Sequence, residues 1–160
     1  MRPILLLLAV SACAGPAPMD GAVPACSDDG RVEVGAGGSR LRALPESGGE
    51  LPIVRGAQGG IHVVVGVWVR DLPLEMALTY RLEDPATGER VGELTAVALT
   101  PGLFSADGAR YQRHPDLLVL NNEAPDIARF AGRTVRLRAE ARAGTVVACD
   151  ERMVTLIDPG

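Results

Sequence analysis

The sequence predicts an all-β fold, an antiparallel β-sandwich of about seven to nine strands forming a single domain over residues 26–160. Three observations carry that expectation. Apolar residues recur at every second position through most of the chain. Turn-forming Gly, Pro, Asn and Asp interrupt the alternation roughly every ten residues. Helical periodicity is scarce.

The N-terminal elements come first. Met1-Arg2-Pro3 is a minimal basic start, and Ile4 to Val10 is an apolar run of seven residues. Such a run reaches only about 10 Å as a helix, whereas a bilayer span needs roughly 20 residues. It therefore reads as the core of a signal peptide over residues 1–12. The following Val10-Ser11-Ala12-Cys13 resembles the lipobox of bacterial lipoproteins. That resemblance covers about the first thirteen residues. It implies that Cys13 becomes the mature N-terminus and carries acyl chains, which hold a protein on a membrane almost permanently. In that family an Asp after the cysteine retains some proteins at the inner membrane. Ala14 stands there, which points to the outer membrane of the cell envelope. Residues 14–25 (AGPAPMDGAVPA) are small, Pro-rich and aperiodic, so residues 13–25 read as the lipidated cysteine and a flexible tether.

Beyond the tether, Arg31 to Val34 and Arg40 to Leu44 alternate, the second ending at Pro45. Ser47-Gly48-Gly49 turns the chain into Leu51 to Val54. Val63, Val65, Val67 and Val69 share one face of a strand from about Ile61 to Arg70. Met76, Leu78, Tyr80 and Leu82 alternate next; Leu74, Leu78 and Leu82 also suit a helix, but Asp84-Pro85-Ala86-Thr87-Gly88 resembles a hairpin loop and favours a strand leading into Arg90 to Leu99. Asp107-Gly108 and Asn121-Asn122 mark turns around Leu117 to Leu120. Pro125 to Ala131 suits one helical turn closed by Gly132. Thr134 to Arg142 then alternates, and Ala143-Gly144 turns into a last strand from Val146 to Ile157. The whole resembles an immunoglobulin-like or fibronectin-like domain of uncharacterised family, without the Cys…Trp…Cys spacing of true immunoglobulin domains.

Composition restricts function. The 160 residues carry 16 basic side chains, all Arg, against 20 acids, for a formal charge of -4. With one Trp, two Tyr and two Phe, the chain has neither the basic stripe nor the stacking aromatics of a nucleic-acid binder. Three cysteines are present: Cys13, Cys26 and Cys149. Lipidation of Cys13 leaves an even pair, and Cys26, just before the first strand, is expected to form a disulfide with Cys149 in the last one.

Candidate chemistry is thin. Gln58, Gly59, Gly60 and His62 lead into the valine-rich strand and Trp68. The Gln-Gly-Gly-x-His segment resembles uncharacterised secreted proteins of GC-rich bacteria, a resemblance that assigns no role. The loop lacks Gly-Lys-Ser/Thr and precedes a strand, so it is no phosphate loop; the plain reading is a tight turn. If the four valines fill the core, Trp68 points outward as a partner contact; alternatively both faces of this strand are covered. His62, His114 and Asp116 form a weak alternative set of metal ligands, although nothing in the spacing brings them together. The acidic pairs Asp28-Asp29, Glu83-Asp84 and Asp150-Glu151 read as solvated strand ends. Gly-x-Ser-x-Gly is absent, and no cofactor motif occurs. The sequence thus favours a lipid-anchored binding or structural module of the cell envelope with an envelope protein as partner, and not an enzyme. The alternative is a periplasmic metal-binding or transport accessory protein using His62 and His114.

Overall fold

A computed structural model describes residues 31–46, 48–57, 59–113, 115–120 and 126–160, the side chain of Val97 apart. The fold is an all-β sandwich. Its strands are β1 (Val32–Ala36), β2 (Arg42–Ala43), β3 (Gly49–Arg55), β4 (Ile61–Val69), β5 (Met76–Glu83), β6 (Arg90–Leu99), β7 (Phe104–Asp107), β8 (Arg110–Arg113), β9 (Asp116–Val119), β10 (Thr134–Ala143) and β11 (Val146–Ile157). The order along the main path is β2-β1-β4-β3-β11-β10-β5-β6, with β8 and β9 on the other edge of β4 and β7 beyond β8.

One layer is centred on β4. Its Val65–Val69 half pairs with β1 and its Ile61–Val63 portion with β3. On its opposite edge β9 pairs with His62–Val65 and β8 with Trp68 and Val69. The second layer is β11-β10-β5-β6, antiparallel throughout. Strand β3 belongs to both layers. Gly49–Pro52 runs parallel to Val154–Ile157 of β11, and Ile53–Arg55 then turns antiparallel to β4. Pro52 stands at the changeover, the last residue in register with β11 before Ile53 pairs with β4. At the far side Gly92 of β6 makes one isolated bridge with Leu120, so the two layers meet there without closing a barrel.

The period-two face of β4 fills the core as its sequence demands: Val63, Val65 and Val67 are fully buried and Val69 nearly so. They pack with Val32, Val34, Leu78, Tyr80, Leu82, Leu118, Leu137 and Leu156. At about 25 cal/mol per Å2 of apolar surface removed from water, such side chains supply the main driving force for closing the layers. The Met76–Glu83 segment is a strand, not a helix, with a strictly alternating burial pattern.

The turns obey local chemistry. Gly108 (φ 63°) and Gly144 (φ 59°) open the two-residue loops of the β7–β8 and β10–β11 hairpins, where a positive first φ matches the strand twist. In the β5–β6 loop, Asp84 Oδ1 accepts the backbone N–H groups of Ala86 (2.9 Å) and Thr87 (3.1 Å).

Several details differ from the sequence expectation. Eleven strands are described, the addition being the β7–β8 hairpin, whose four-residue arms are too short to display a period. One pairing, β3 with β11, is parallel. The Arg40–Leu44 segment keeps only a two-residue strand. The helical turn is a 3-10 turn over Ile127–Arg129, capped by Asp126, whose carboxylate accepts the Ala128 N–H at 3.0 Å. Asp150 is not a solvated strand end. It faces the core at 1% exposure, opposite Ala139, where its Oδ2 accepts the Val34 N–H at 2.8 Å and its other oxygen pairs with Arg152. A carboxylate thereby does for the open edge of β1 what a neighbouring strand would do.

Candidate functional site

Two regions of the β4 layer gather the side chains capable of recognition, both on its outer face. The first is set by register. Val54 of β3, His62 of β4 and Val119 of β9 stand side by side across three strands, and Val64 and Leu117 form the next row. Directly paired residues project from the same face of a sheet, so these five form one surface. Their neighbours Ile53, Val63 and Leu118 point into the core and are buried. Val54, Leu117 and Val119 are 38%, 54% and 57% exposed. Strands lie about 4.8 Å apart, so the apolar strip is about 10 Å wide with the imidazole of His62 at its centre.

Gly59 and Gly60 lie above this strip in the β3–β4 turn. The turn closes on itself: Gly56 N–H donates to the Gly60 carbonyl at 2.7 Å and Gly59 N–H to the Gly56 carbonyl at 2.9 Å. Gly59 takes φ 84°, a conformation glycine adopts without cost. These glycines shape a hairpin. Gln58 lies outside the described residues.

The second region surrounds Trp68. This tryptophan is only 4% exposed and so offers no surface contact; both faces of β4 are covered here. Gly35 and Gly66 are cross-strand partners, and the slot they leave on the outer face is filled by Leu41, itself buried. The β7–β8 hairpin covers the other side. Trp68 Nε1–H donates to Asp107 Oδ2 at 2.8 Å, and the Arg110 guanidinium stacks 4.2 Å from the indole centroid. Arg110 also pairs with Glu33 and, at 3.4 Å, with Asp107. Next to this clamp is a cleft of about 170 Å3 lined by Arg31, Glu33, Trp68, Arg70, Arg110 and Arg152, with Val32 and Val69 at its base.

The metal-ligand alternative does not converge. His62 is on the outer face of β4, whereas Asp116, in register with the core-facing Val65, is on the inner one. Asp116 is instead held by Arg113 Nη2 at 2.7 Å and faces the buried hydroxyl of Tyr80. Burial, and then the negative charge of Asp116, push the Tyr80 phenol well above its usual range, with Arg113 partly opposing; Tyr80 remains neutral. His114 lies outside the described residues. Among the described residues no group of three or more His, Cys, Asp or Glu is placed to hold a metal ion, and no helix is long and apolar enough to cross a membrane.

Cys149 is buried on the outer side of β11, opposite Glu140; Cys13 and Cys26 lie outside the described residues. The outer face of the β10 layer carries a row of ion pairs. Arg136 pairs with Glu83 at 3.1 Å, Arg138 with Glu140 at 3.1 Å and Glu151 at 3.2 Å, and Arg142 with Glu140 at 3.1 Å. Burial alone would raise the Glu140 pKa, but the two guanidiniums outweigh it and hold the carboxyl below its ordinary value.

Leu117, Val119 and the arginines of the cleft were not singled out by the sequence. The four residues of β9 are too few to reveal which face is buried, and the arginines come from four different strands and strand ends. Comparison with known proteins found no family model that matches the chain, no match among curated proteins and none among solved structures.

Proposed function

We propose that the chain is a lipid-anchored β-sandwich module of the bacterial cell envelope that binds a partner protein through the outer face of β3, β4 and β9. One observation carries the reading. Among the described residues, three of the five large exposed hydrophobics, Val54, Leu117 and Val119, fall in adjacent rows of that single face. A contiguous apolar strip marks an interaction surface more often than scattered exposed side chains do. The opposite layer has an outer face crossed by Arg–Glu pairs, and none of its residues is among the large exposed hydrophobics of the described residues.

The anchor rests on Val10-Ser11-Ala12-Cys13, with the outer membrane as destination and residues 14–25 as tether. A Cys26–Cys149 disulfide belongs to the same reading. Cys149 is buried, and β11 packs beside β1, six residues after Cys26. Mass spectrometry of the native protein without reductant is expected to show a chain starting at Cys13, heavier by acyl groups and lighter by two protons. An unmodified chain with three thiols overturns the anchor and the disulfide together.

The face is tested by a photo-crosslinking residue at position 119 and, as control, at the exposed Thr95 of the other layer. Discrete envelope-protein adducts from position 119, absent from position 95 and lost when Leu117→Asp is added, are the expected result. Equal labelling from both positions overturns the assignment.

A further inference from the structure

The β4 layer ends at β7, and the open edge of that strand carries what a further strand requires. Strand β7 pairs with β8, and among the described residues no strand lies on its other side. Backbone groups point alternately to the two sides of a strand. The Gly108-Ala109 loop makes Asp107 and Arg110 the hydrogen-bonded pair that closes the hairpin, with Ser105 and Gln112 the next such pair. The groups of Phe104 and Ala106 therefore turn to the open side. The Phe104 N–H bears this out, since it donates to the Pro101 carbonyl of the 3-10 turn Pro101–Leu103 and not to β8. The Phe104 carbonyl and both backbone groups of Ala106 are left facing outward. Other edges are blunted. Strand β2 ends after two residues, Asp150 caps the β1 edge, and Arg152 takes the Glu151 carbonyl of β11 at 2.9 Å. Strand β6 is broken by a register shift between Ala96 and Leu99, where Ala98 takes φ 55°. Short strands, bulges and covering side chains guard an edge against pairing. The Phe-Ser-Ala-Asp of β7 has no such guard and no Pro. Beside it, Tyr111 stands in register with Ala106 on the core-side face, and Leu103 precedes it. They are 44% and 38% exposed, the two large exposed hydrophobics among the described residues that the β3–β4–β9 face does not hold.

We propose that β7 is the interface with a second copy of this chain, the two β7 strands running antiparallel about a twofold axis at Ala106. The Ala106 N–H of each copy donates to the Ala106 carbonyl of the other, and each Phe104 carbonyl faces the Gly108 N–H across the axis. A surface that supplies donor and acceptor at one residue is its own complement, as a twofold interface demands. Asp107 then stands opposite Ser105 and not opposite its own copy; like charges placed directly opposite would oppose pairing. Gly108, at the hairpin tip that meets the other copy, brings no side chain, and nothing lies within 4 Å of where its Cβ would be. Pairing joins two β4 layers into one sheet and sets Tyr111 and Ala106 of both copies in a single apolar row. An edge of four residues is small beside the roughly 800 Å2 per partner of a standard stable interface, so the association is weak and reversible. The proposal depends neither on the lipid anchor nor on the β3–β4–β9 face, whose outer surface the pairing leaves uncovered.

The full chain is followed by sedimentation velocity from low micromolar to sub-millimolar concentration, with amide hydrogen exchange measured at both ends of the range. A reversible dimer is expected, and the Ala106 N–H should gain protection as concentration rises. Ala106→Pro removes the outward donor without touching the β8 ladder and should weaken association at least tenfold. Ala106→Arg, which sets two like charges opposite each other, should do the same. Near-ultraviolet circular dichroism and the emission of Trp68, the only tryptophan, verify that each variant keeps the hairpin. If Ala106→Pro does not fold, Ala106→Arg carries the test. A monomer throughout the range overturns the proposal, as does a dimer that the folded Ala106 variants leave intact. A dimer lost in Leu117→Asp but kept in the Ala106 variants overturns it in favour of self-association through the β3–β4–β9 face. Envelope-protein adducts at position 119 from a chain that stays monomeric overturn it while leaving the role of that face standing.

Discussion

At Trp68 the surroundings of one side chain decide what the sequence left open. Gly35 has no Cβ because one would meet the Arg42 carbonyl at 2.7 Å and Trp68 Cζ3 at 2.8 Å. Backbone cannot yield as the tip of a flexible side chain does. Gly35→Ala is therefore expected to destabilise by about 1–3 kcal/mol through overpacking, read as a lower urea midpoint with unchanged slope, and to alter Trp68 emission. Gly38, whose added Cβ would meet nothing within 4 Å, is the matched control and should change little. The four core valines of β4 were legible because alternation is a local signal. The burial of Trp68 was not, because its cover, Leu41 and the β7–β8 hairpin, comes from segments whose pairing no local pattern encodes.

Among the elements, the β5–β6 loop is the one most fully written into its own residues. Asp84 accepts two backbone N–H groups of the loop and pairs with Arg133 at 3.0 Å. These contacts, the Ala86 N–H foremost and then Arg133, hold its carboxyl below the ordinary value. A carboxyl depressed in the folded state contributes stability that is present at neutral pH and lost as pH falls through the folded pKa. Asp84→Asn should accordingly lower Tm near neutral pH, and the gap from the parent should narrow as acid protonates Asp84. A gap that persists below the carboxylate range would mean that the charge is immaterial. The Asp-Pro-Ala-Thr-Gly signature was legible because loop, cap and Gly88 (φ 72°) lie within six residues. Strand β9 is the opposite case. Its exposed Leu117 and Val119 gain meaning only from their register with β4, a relation between segments far apart in sequence.

For the molecule as a whole, stability should be graded by how each edge is closed. Strand β4 is paired along both edges, and β10 lies between β5 and β11. The layers meet at their far side through one bridge, Gly92 with Leu120, at a contact so close that a Cβ on Gly92 would meet Leu118 Cδ2 at 2.6 Å and the Val119 carbonyl at 2.8 Å. Local opening is cheapest where hydrogen bonds are fewest. Native-state amide exchange is thus expected to be fastest among these strands in β6 and β9 and slowest in β4 and β10, and equal protection throughout would show that the seam is no weak point. The two-layer class was legible from alternation and turn spacing. The route between the layers was not, since β3 gives no local sign that its halves serve different sheets.

That divided strand also governs how the molecule can come into being. A ribosome releases β3 about a hundred residues before its parallel partner β11. The corner between the sheets therefore has to wait for Val154–Ile157. A chain threaded through a membrane N-terminus first would travel with that corner still open, and a nascent chain cut short before Val154 would lack the strand against which Gly49–Pro52 is laid. Long-range pairing of this kind slows folding, so Val154–Ile157 act as the clasp that ends the vulnerable period.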